Sequence, residues 1–336
     1  MDISDRAREL HAQAIIVDAH NDTLVLRQSR NEHLDVTQPD DRYHVDVPRA
    51  LQGGLTCSYF MLGSQHLEQA MDLIDGAWLL NDEHPDMVIY ATRTADIERA
   101  KAEGKLAIVG QLESCSCLHS HLSTLRNFYR LGVRVANLTH GEGGEGAAQH
   151  DKSPFDYCQP EDRERARREM AGLTDLGREA ITEMNRLGII MDLAHANDAT
   201  FFQALELCET PPIFSHGAVF SVCPHWRGLT DDQLRALAEA GGVMGLAFYD
   251  KFICRERPSL ERWVDGVEHV INLVGPEHIG IGADYDGLPA DVVPIPPEVS
   301  QLPLVTEAMV ARGLDDEVIL KVLGGNFMRV MRQVIG

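Results

Sequence analysis

The chain has 336 residues, of which 44% are hydrophobic, so it is long enough to bury one large core or two smaller ones. Its formal net charge of -22 argues against a nucleic-acid-binding surface, because such a surface needs clustered Lys and Arg to neutralise phosphates. The seven cysteines are odd in number and include no Cys-x-x-Cys pair, which argues against a disulfide framework and against a structural zinc ribbon.

The two ends of the chain predict a cytoplasmic protein without membrane attachment. The start, MDISDRARELHAQ, is charged and lacks the apolar core of a signal peptide, and no apolar run approaches the ~18 residues of a membrane span. The end, FMRVMRQVIG, is typical of an amphipathic helix rather than of a lipid-anchor signal. Assembly into a homo-oligomer is left open by the sequence.

Short apolar segments alternate with helical patterns along the whole chain. Eight of these segments predict strands, namely IIVDAH, TCSYFML, LAIVGQLE, VRVANLTH, IIMDLAH, PIFSH, GVMGLAFY and HIGIGADYD. Between them lie helical patterns such as those that begin at the capping residues Thr174 and Thr230. Parallel strands joined by helices, with no linker to divide the chain, predict one (β/α)8 TIM barrel domain over residues 1–336.

Two segments fall outside this repeating pattern. The segment MVIYA, from Met87 to Ala91, has strand character but lies so close between two helical patterns that we place it outside the barrel. The stretch from Gly141 to Gly172 is the longest irregular one and is rich in Gly, Asp, Glu and Arg. Because long loops in compact domains are usually lids or disordered segments, we expect one of the two after the fourth barrel strand.

Five of the eight predicted strands end in residue types that bind metals. These residues are His20 and Asp22, Glu113, His195, His216 and Asp284. Each alone has an ordinary explanation, such as a core histidine, a helix-capping glutamate or a turn-forming aspartate. In a parallel barrel, however, all these strand ends share one rim, so three imidazoles and three carboxylates meet there. Such a cluster is unfavourable without cations, and the sequence therefore predicts a metal site.

The number of these side chains favours two metal ions over one. Six side chains exceed what one tetrahedral zinc needs, and Glu113 can bridge two ions with one oxygen each. Two ions that share a water lower its pKa and polarise a carbonyl, which is the chemistry of hydrolysis. Asp284 is then the candidate to take the proton of the water and to pass it to a leaving amine. We expect the neighbouring Asp286 to shape the DYDG turn.

Several ordered motifs span nearly the whole chain: DAHNDT, HVDVPRALQGG, LES, NLTH, GLTDLG, NRLGIIMDLAH, PPIFSH, SVCPHWRGLTDD, IGIGADYDG and LGGNFMRV. Together they resemble the renal or membrane dipeptidase family within the amidohydrolase superfamily. This resemblance implies a binuclear zinc dipeptidase whose substrate is a dipeptide with a free amine and a free carboxylate. It also implies that the enzyme accepts a D-residue at the C-terminal position of the substrate, as members of the family often do.

The resemblance also implies roles for individual residues. Its zinc ligands fall on His20 and Asp22 for the first ion, Glu113 as the bridge, and His195 and His216 for the second ion. A histidine after the fourth strand, here His140, holds the substrate carbonyl, and an arginine after the sixth strand, here Arg227, holds the C-terminal carboxylate. A guanidinium suits that role because its fork binds a carboxylate with two hydrogen bonds.

Three stretches depart from the family pattern. Ser114, Cys115 and Ser116 follow the bridging glutamate where the family usually has glycine, and CSYF replaces the aromatic, glutamine-containing end of the second strand. The stretch from Gly141 to Gly172 lacks the usual Asn- and Trp-containing sequence. These departures leave the metal ligands in place and bear on substrate choice.

Two alternatives to a dipeptidase stay open at this point. One is an amidohydrolase of the same barrel that acts on another small amide or on an N-acyl amino acid, a substrate that Arg227 would also suit. The other is a barrel that has lost catalysis and serves as a binding or scaffold protein. The complete set of metal ligands argues against the second alternative.

Overall fold

The computed structural model describes residues 2–63, 66–119, 121–140, 159–253, 256–289 and 292–336. The strands of these residues are β1 Ile16–Asn21, β2 Leu55–Met61, β3 Val88–Tyr90, β4 Leu106–Glu113, β5 Val133–Asn137, β6 Ile190–Asp192, β7 Ile213–Val219, β8 Gly228–Leu229, β9 Val243–Leu246 and β10 Ile279–Ile281. The helices are α1 Asp5–Gln13, α2 Thr23–Ser29, α3 Val47–Gln52, α4 Leu67–Glu83, α5 Thr94–Glu103, α6 Leu122–Arg130, α7 Pro160–Glu169, α8 Asp175–Leu187, α9 Asp198–Leu205, α10 Asp231–Glu239, α11 Asp250–Ile253, α12 Leu260–Val274, α13 Pro303–Arg312, α14 Asp316–Leu320 and α15 Asn326–Val334.

Eight parallel strands close into a barrel in the order β1, β2, β4, β5, β6, β7, β9, β10. The ring closes on both sides of β1, because Asp18 pairs with Ile281 of β10 and also with Ser58 of β2. On its far side β2 pairs with β4, where Tyr59 lies opposite Val109. Helices follow the strands and return the chain to the other end of the barrel, as parallel pairing requires. The predicted (β/α)8 TIM barrel is therefore confirmed.

The segment MVIYA contains strand β3, which lies outside the closed ring. β3 pairs with the first residues of β4, where Val88 lies opposite Leu106 and Tyr90 opposite Ile108. From Gly110 onward, β5 pairs with β4 instead. The ninth apolar segment thus lies outside the closed barrel, as predicted, and the structure shows that it extends the sheet beside β4.

One helix lies inside the stretch that the sequence predicts to be irregular. α7 begins with a proline in its first turn, has Glu161 in that turn and has Arg168 in its last turn. These charges are arranged favourably along the helix dipole. The apolar periodicity is missing because α7 buries only Arg163 and Ala166 among its described side chains, so the prediction was wrong here. The remainder of the prediction, residues 141–158, lies outside the described residues.

The barrel strands are buried on both faces, which explains why they appear in the sequence as continuous apolar runs. Every residue of β1, β2, β4 and β7 is buried. Several polar residues nevertheless lie fully inside these strands and in β6, namely Asp18, Ser58, Gln111, Asp192 and Ser215. Buried polar groups need hydrogen-bond partners, and these five find them in one another, in the backbone and in the side chains of the rim.

The helix ends follow the predicted capping. Thr174 and Thr230 are the N-caps of α8 and α10, and Gln233 completes a capping box with Thr230. The C-terminal segment forms α15 and buries Phe327 and Met331 on its apolar face. Among the described residues, none of the helices combines the length and the apolar character that crossing a bilayer requires.

Candidate metal centre

The five predicted metal ligands and the predicted catalytic Asp284 all lie at the carboxyl end of the barrel. His20 is in β1, Glu113 is the last residue of β4 and His216 is in β7. The other three follow directly or shortly after β1, β6 and β10, and they are Asp22, His195 and Asp284. Each of the six is at most 8% exposed, so the rim brings six polar side chains together away from water.

The carboxylate of Glu113 lies at the centre of this cluster. Its Oε1 atom is 3.4 Å from Nε2 of His20 and 3.4 Å from Nε2 of His216. The same oxygen is 3.0 Å from Nε2 of His195. Its other oxygen, Oε2, is 3.7 Å from Nε2 of His140, a half-buried residue that follows β5. One carboxylate therefore faces imidazoles from four positions around the rim.

The remaining contacts divide the cluster into overlapping groups. Nε2 of His20 lies 3.1 Å from Oδ2 of Asp22 and 4.0 Å from Oδ1 of Asp284. Three sets have all their donor atoms within 4.8 Å of one another, namely His20 with Asp22 and Glu113, Glu113 with His140 and His195, and His20 with His216 and Asp284. Glu113 belongs to two of these sets, as a bridging ligand would.

These groups differ in two respects from the ligand sets that the resemblance implies. His140, which the resemblance assigns to the substrate, is close enough to Glu113 and His195 to share a cation with them. His216 groups with His20 and Asp284, but its Nε2 also lies 3.1 Å from Nε2 of His195. The implied second set of Glu113, His195 and His216 therefore also converges.

Burial raises the pKa values of two carboxylic acids in the cluster. The pKa of Glu113 lies well above its usual range because the group is buried, and Asp22 and Asp284 raise it further while His20 lowers it. Burial also raises the pKa of Asp284 to about 6. A divalent cation between these groups would favour their ionised forms, since carboxylates bind metals deprotonated.

The pKa values of the three histidines predicted as metal ligands shift in opposite directions. Burial, followed by neighbouring cationic groups such as Arg227, lowers the pKa values of His195 and His216 well below the usual range. Burial also acts to lower the pKa of His20, but the carboxylates of Glu113 and Asp22 outweigh it and raise this pKa well above the usual range. Buried imidazoles and carboxylates in this number are the donor set that zinc prefers, so the residues fit that metal.

Two side chains of the rim are carried by a left-handed backbone. His195 has φ 64° and Asp284 has φ 61°, a conformation that residues other than glycine rarely adopt. The N–H groups of the preceding residues are held by buried carboxylates, because Ala194 donates to Asp192 at 3.0 Å and Ala283 donates to Asp18 at 2.7 Å. Strained backbone of this kind persists only where the surroundings fix it.

The two aspartates of the DYDG turn make different contacts. Asp286 accepts hydrogen bonds from the hydroxyl of Thr23 at 2.5 Å and from the backbone N–H of His44 at 2.8 Å. Asp284 faces the metal cluster instead. A side chain at Gly287 would collide with the carboxylates of Asp22 and Asp284, which explains why glycine ends the turn.

A cavity of about 230 Å³ adjoins the cluster and is lined by both Arg227 and Asp284. Arg227 is 6% exposed and precedes β8, and its Nη2 donates to the backbone oxygen of His216 at 3.3 Å. Four aromatic side chains form much of the wall, namely His225, Trp226, Tyr249 and Phe252. The cavity thus places a buried positive charge and apolar rings beside the candidate metal centre.

The polar residues beneath the rim are missing from the set that the sequence predicts. Gln111, Asp192 and Ser215 make hydrogen bonds that lead to ring nitrogens of the metal-site histidines. The signal that could have found them is a polar residue inside an apolar strand, shortly before a metal-binding residue. LAIVGQLE, IIMDLAH and IFSH all contain this pattern.

A parallel barrel whose carboxyl rim gathers imidazoles and carboxylates has the design of a metal-dependent hydrolase. Comparisons with known proteins define the class further. The family model of membrane dipeptidase, peptidase family M19, matches residues 4–335. Dipeptidase verJ of Clonostachys rogersoniana is 30% identical over 350 residues, which cover 98% of this chain and 86% of verJ.

Two solved structures share the fold. The probable dipeptidase PvdM of Pseudomonas aeruginosa has a TM-score of 0.85 at 20% identity, over 98% of this chain and 97% of its own. A metallo peptidase of Rhodobacter sphaeroides, solved with a phosphinate mimic of the dipeptide L-Ala-D-Ala, has a TM-score of 0.77 at 23% identity, over 96% of this chain and 100% of its own. The chain belongs to the membrane dipeptidase family, peptidase family M19, and is a metallo-dipeptidase, a hydrolase that acts on peptide bonds.

Proposed function

We propose that this metallo-dipeptidase holds two zinc ions at the carboxyl rim of the barrel. Glu113 bridges them, with His20 and Asp22 on one side and His195 and His216 on the other. The observation that carries this proposal is the position of Glu113 Oε1, which lies within 3.4 Å of three imidazole Nε2 atoms from three different strand ends. A carboxylate so placed could contribute to the binding of both ions.

Zinc ions bound here would supply an activated water at neutral pH and would polarise the carbonyl of the scissile bond. Asp284 then takes the proton from the attacking water and delivers it to the leaving amine. Its position supports this role, because Asp284 borders both the metal cluster and the adjoining cavity. A general acid-base group must reach both the water and the leaving group.

The cavity beside the cluster supports binding of the C-terminal residue of a dipeptide. Arg227 holds the free carboxylate, for which a buried guanidinium is well suited. The aromatic wall receives the side chain of that residue, which favours apolar over charged side chains. His140, whose Nε2 lies 3.7 Å from Oε2 of Glu113, holds the substrate carbonyl.

The substrates we propose include dipeptides with a D-residue at the C-terminal position. The ligand of the Rhodobacter sphaeroides structure, a mimic of L-Ala-D-Ala, supports this extension. The free amine and the free carboxylate remain the groups that define the substrate.

A hydrolysis screen of the zinc-loaded protein against L,L and L,D dipeptides tests this proposal. Each active dipeptide is paired with its N-acetylated and its C-terminally amidated form as matched controls. We expect the free dipeptides to be cleaved much faster than either blocked form. Faster cleavage of N-acyl amino acids than of dipeptides would contradict the proposed substrate class.

A further inference from the structure

A continuous set of buried hydrogen bonds runs beneath the metal centre and joins two of its histidines. It consists of Gln111 on β4, Asp192 on β6 and Ser215 on β7, and all three residues are 0% exposed. The set starts at His20 and ends at His216. It therefore crosses the barrel interior between the two sides of the proposed zinc site.

Asp192 is the centre of this set. Its Oδ2 accepts hydrogen bonds from Nε2 of Gln111 at 2.8 Å and from the hydroxyl of Ser215 at 2.6 Å. Its Oδ1 accepts from the backbone N–H groups of Ala194 at 3.0 Å and Ser215 at 2.9 Å. A carboxylate can only accept hydrogen bonds, so all four neighbouring groups must be donors.

This requirement fixes the orientation of the Gln111 amide and with it the tautomer of His20. Since the amide nitrogen of Gln111 donates to Asp192, its oxygen is the atom that faces Nδ1 of His20, at 2.9 Å. That oxygen can only accept, so Nδ1 carries the proton. Nε2 is then the nitrogen that can offer its lone pair to a metal ion, and it faces Asp22 and Glu113.

The same reasoning applies to His216 through the serine. Ser215 has a single hydroxyl proton, and it donates that proton to Asp192. Its oxygen therefore accepts from Nδ1 of His216, at 2.9 Å. The lone pair of His216 is on Nε2, which faces Glu113.

We propose that Asp192 is a positioning residue that sets the tautomer of both His20 and His216, one through Gln111 and the other through Ser215. One buried carboxylate thus prepares a ligand for each of the two metal ions. The inference rests on the proposed zinc site, because a histidine binds a metal only through an unprotonated nitrogen.

A matched pair of serine variants tests this inference. Ser215→Ala removes the relay to His216. Ser58→Ala removes a hydroxyl that is equally buried in the barrel but donates to Asp18 at 3.4 Å. The measurements are the zinc dissociation constants by chelator competition, the visible spectrum of the Co2+-substituted protein, and the thermal midpoint of the metal-free protein.

We expect Ser215→Ala to weaken the binding of one metal ion by about 10- to 100-fold and to alter the Co2+ spectrum, while Ser58→Ala changes affinity less than about threefold. The metal-free thermal midpoints show whether the two variants are equally well folded. Equal losses of affinity in both variants, at equal thermal midpoints, would overturn the inference.

Asp192→Asn extends the test to both sides of the site. An asparagine amide that turns its nitrogen toward Gln111 makes that side chain flip, which presents an N–H to His20 and forces the proton of the imidazole onto Nε2. We therefore expect weaker binding of both ions in Asp192→Asn, in contrast to one ion in Ser215→Ala. Wild-type affinity for both ions in Asp192→Asn would contradict the role of Asp192.

If Asp192→Asn does not fold, the serine pair still tests the inference through His216, and a Ser215→Ala variant that behaves like Ser58→Ala overturns it. The outcomes also separate this inference from the proposed function. A wild-type protein that binds no zinc would overturn the proposed metal centre and the inference with it. A wild-type protein that binds two ions, together with a Ser215→Ala variant that behaves like Ser58→Ala, would overturn the positioning role alone.

Discussion

The metal centre is built from two regions that hold their side chains by different means. His20, Glu113 and His216 are carried by strands, so the hydrogen bonds of the barrel fix their backbone. His195 and Asp284 follow the strands and depend on a left-handed backbone that buried carboxylates stabilise. The barrel itself thus fixes the backbone of the strand-borne residues, whereas hydrogen bonds to buried carboxylates fix the backbone of the loop-borne ones.

The largest effect should come from Glu113, the strand-borne residue proposed to bridge the two ions. In Glu113→Gln, the amide cannot bridge two cations with two anionic oxygens, so we expect the loss of bound zinc and of dipeptide hydrolysis to the limit of detection. Elemental analysis and a hydrolysis assay measure both. Glu239→Gln, on the exposed surface of α10, serves as the control and should keep metal and activity. Retention of two ions in Glu113→Gln would contradict the bridging role.

The next largest effect concerns Arg227, which lies beyond the strand ends. Arg227→Met should lower kcat/KM for free dipeptides. The corresponding activation free energy should rise by about 2 to 5 kcal/mol, the cost of removing one partner of a buried charge pair. The C-terminally amidated dipeptide, which lacks the carboxylate, is the internal control and should be affected far less. Equal losses on both substrates would show that the arginine acts elsewhere.

Asp284 tests whether a loop-borne residue acts in proton transfer rather than in metal binding. Asp284→Asn keeps the size of the side chain but removes the base, so kcat should fall by roughly 10²-fold or more while metal content persists. Asp286→Asn is the control, because Asp286 holds Thr23 and His44 and should keep most activity. An inactive Asp286→Asn beside an active Asp284→Asn, both with metal bound, would reverse the two assignments.

The smallest effect concerns Asp18, the buried residue that supports the backbone before Asp284. It should make the stability of the metal-free protein depend on pH. Burial raises the pKa of Asp18 from 3.8 to about 7. A group whose pKa is higher in the folded chain binds its proton more tightly there, so the folded state loses stability as pH rises from the lower value through the higher one. The metal-free wild type should therefore lose roughly 2 to 3 kcal/mol relative to Asp18→Asn between pH 5 and pH 7.

Urea unfolding of both metal-free proteins at the two pH values measures this difference. Other titrating groups of the cluster are present in both proteins, so their contributions cancel to a first approximation. A difference that stays constant with pH, or one that changes in the opposite direction, would contradict the burial of an ionisable Asp18.

The two regions also differ in how far the sequence predicts them. The barrel strands could be found because burial on both faces makes each of them a continuous apolar run, and this alone brings the strand ends to one rim. Helix α7 could not be found in this way, because its sequence is almost entirely charged and carries no apolar stripe.

The loop-borne residues are harder to predict from physical pattern. The positions of His140 and Arg227 depend on the path of the chain after a strand, which no periodicity encodes, so only the resemblance to a family pointed to them. The roles of Gln111 and Asp192 could not be assigned from the sequence for another reason. A polar residue inside an apolar strand gains its meaning from partners on other strands, and these become visible only in the folded barrel.

The most direct test of the central claim is the metal content of protein purified in the presence of zinc. Elemental analysis should find close to two zinc ions per chain, and their removal by a chelator should abolish dipeptide hydrolysis until zinc is restored. Full activity in a protein shown to contain no metal would contradict the account, because nothing would then require three imidazoles to surround the carboxylate of Glu113.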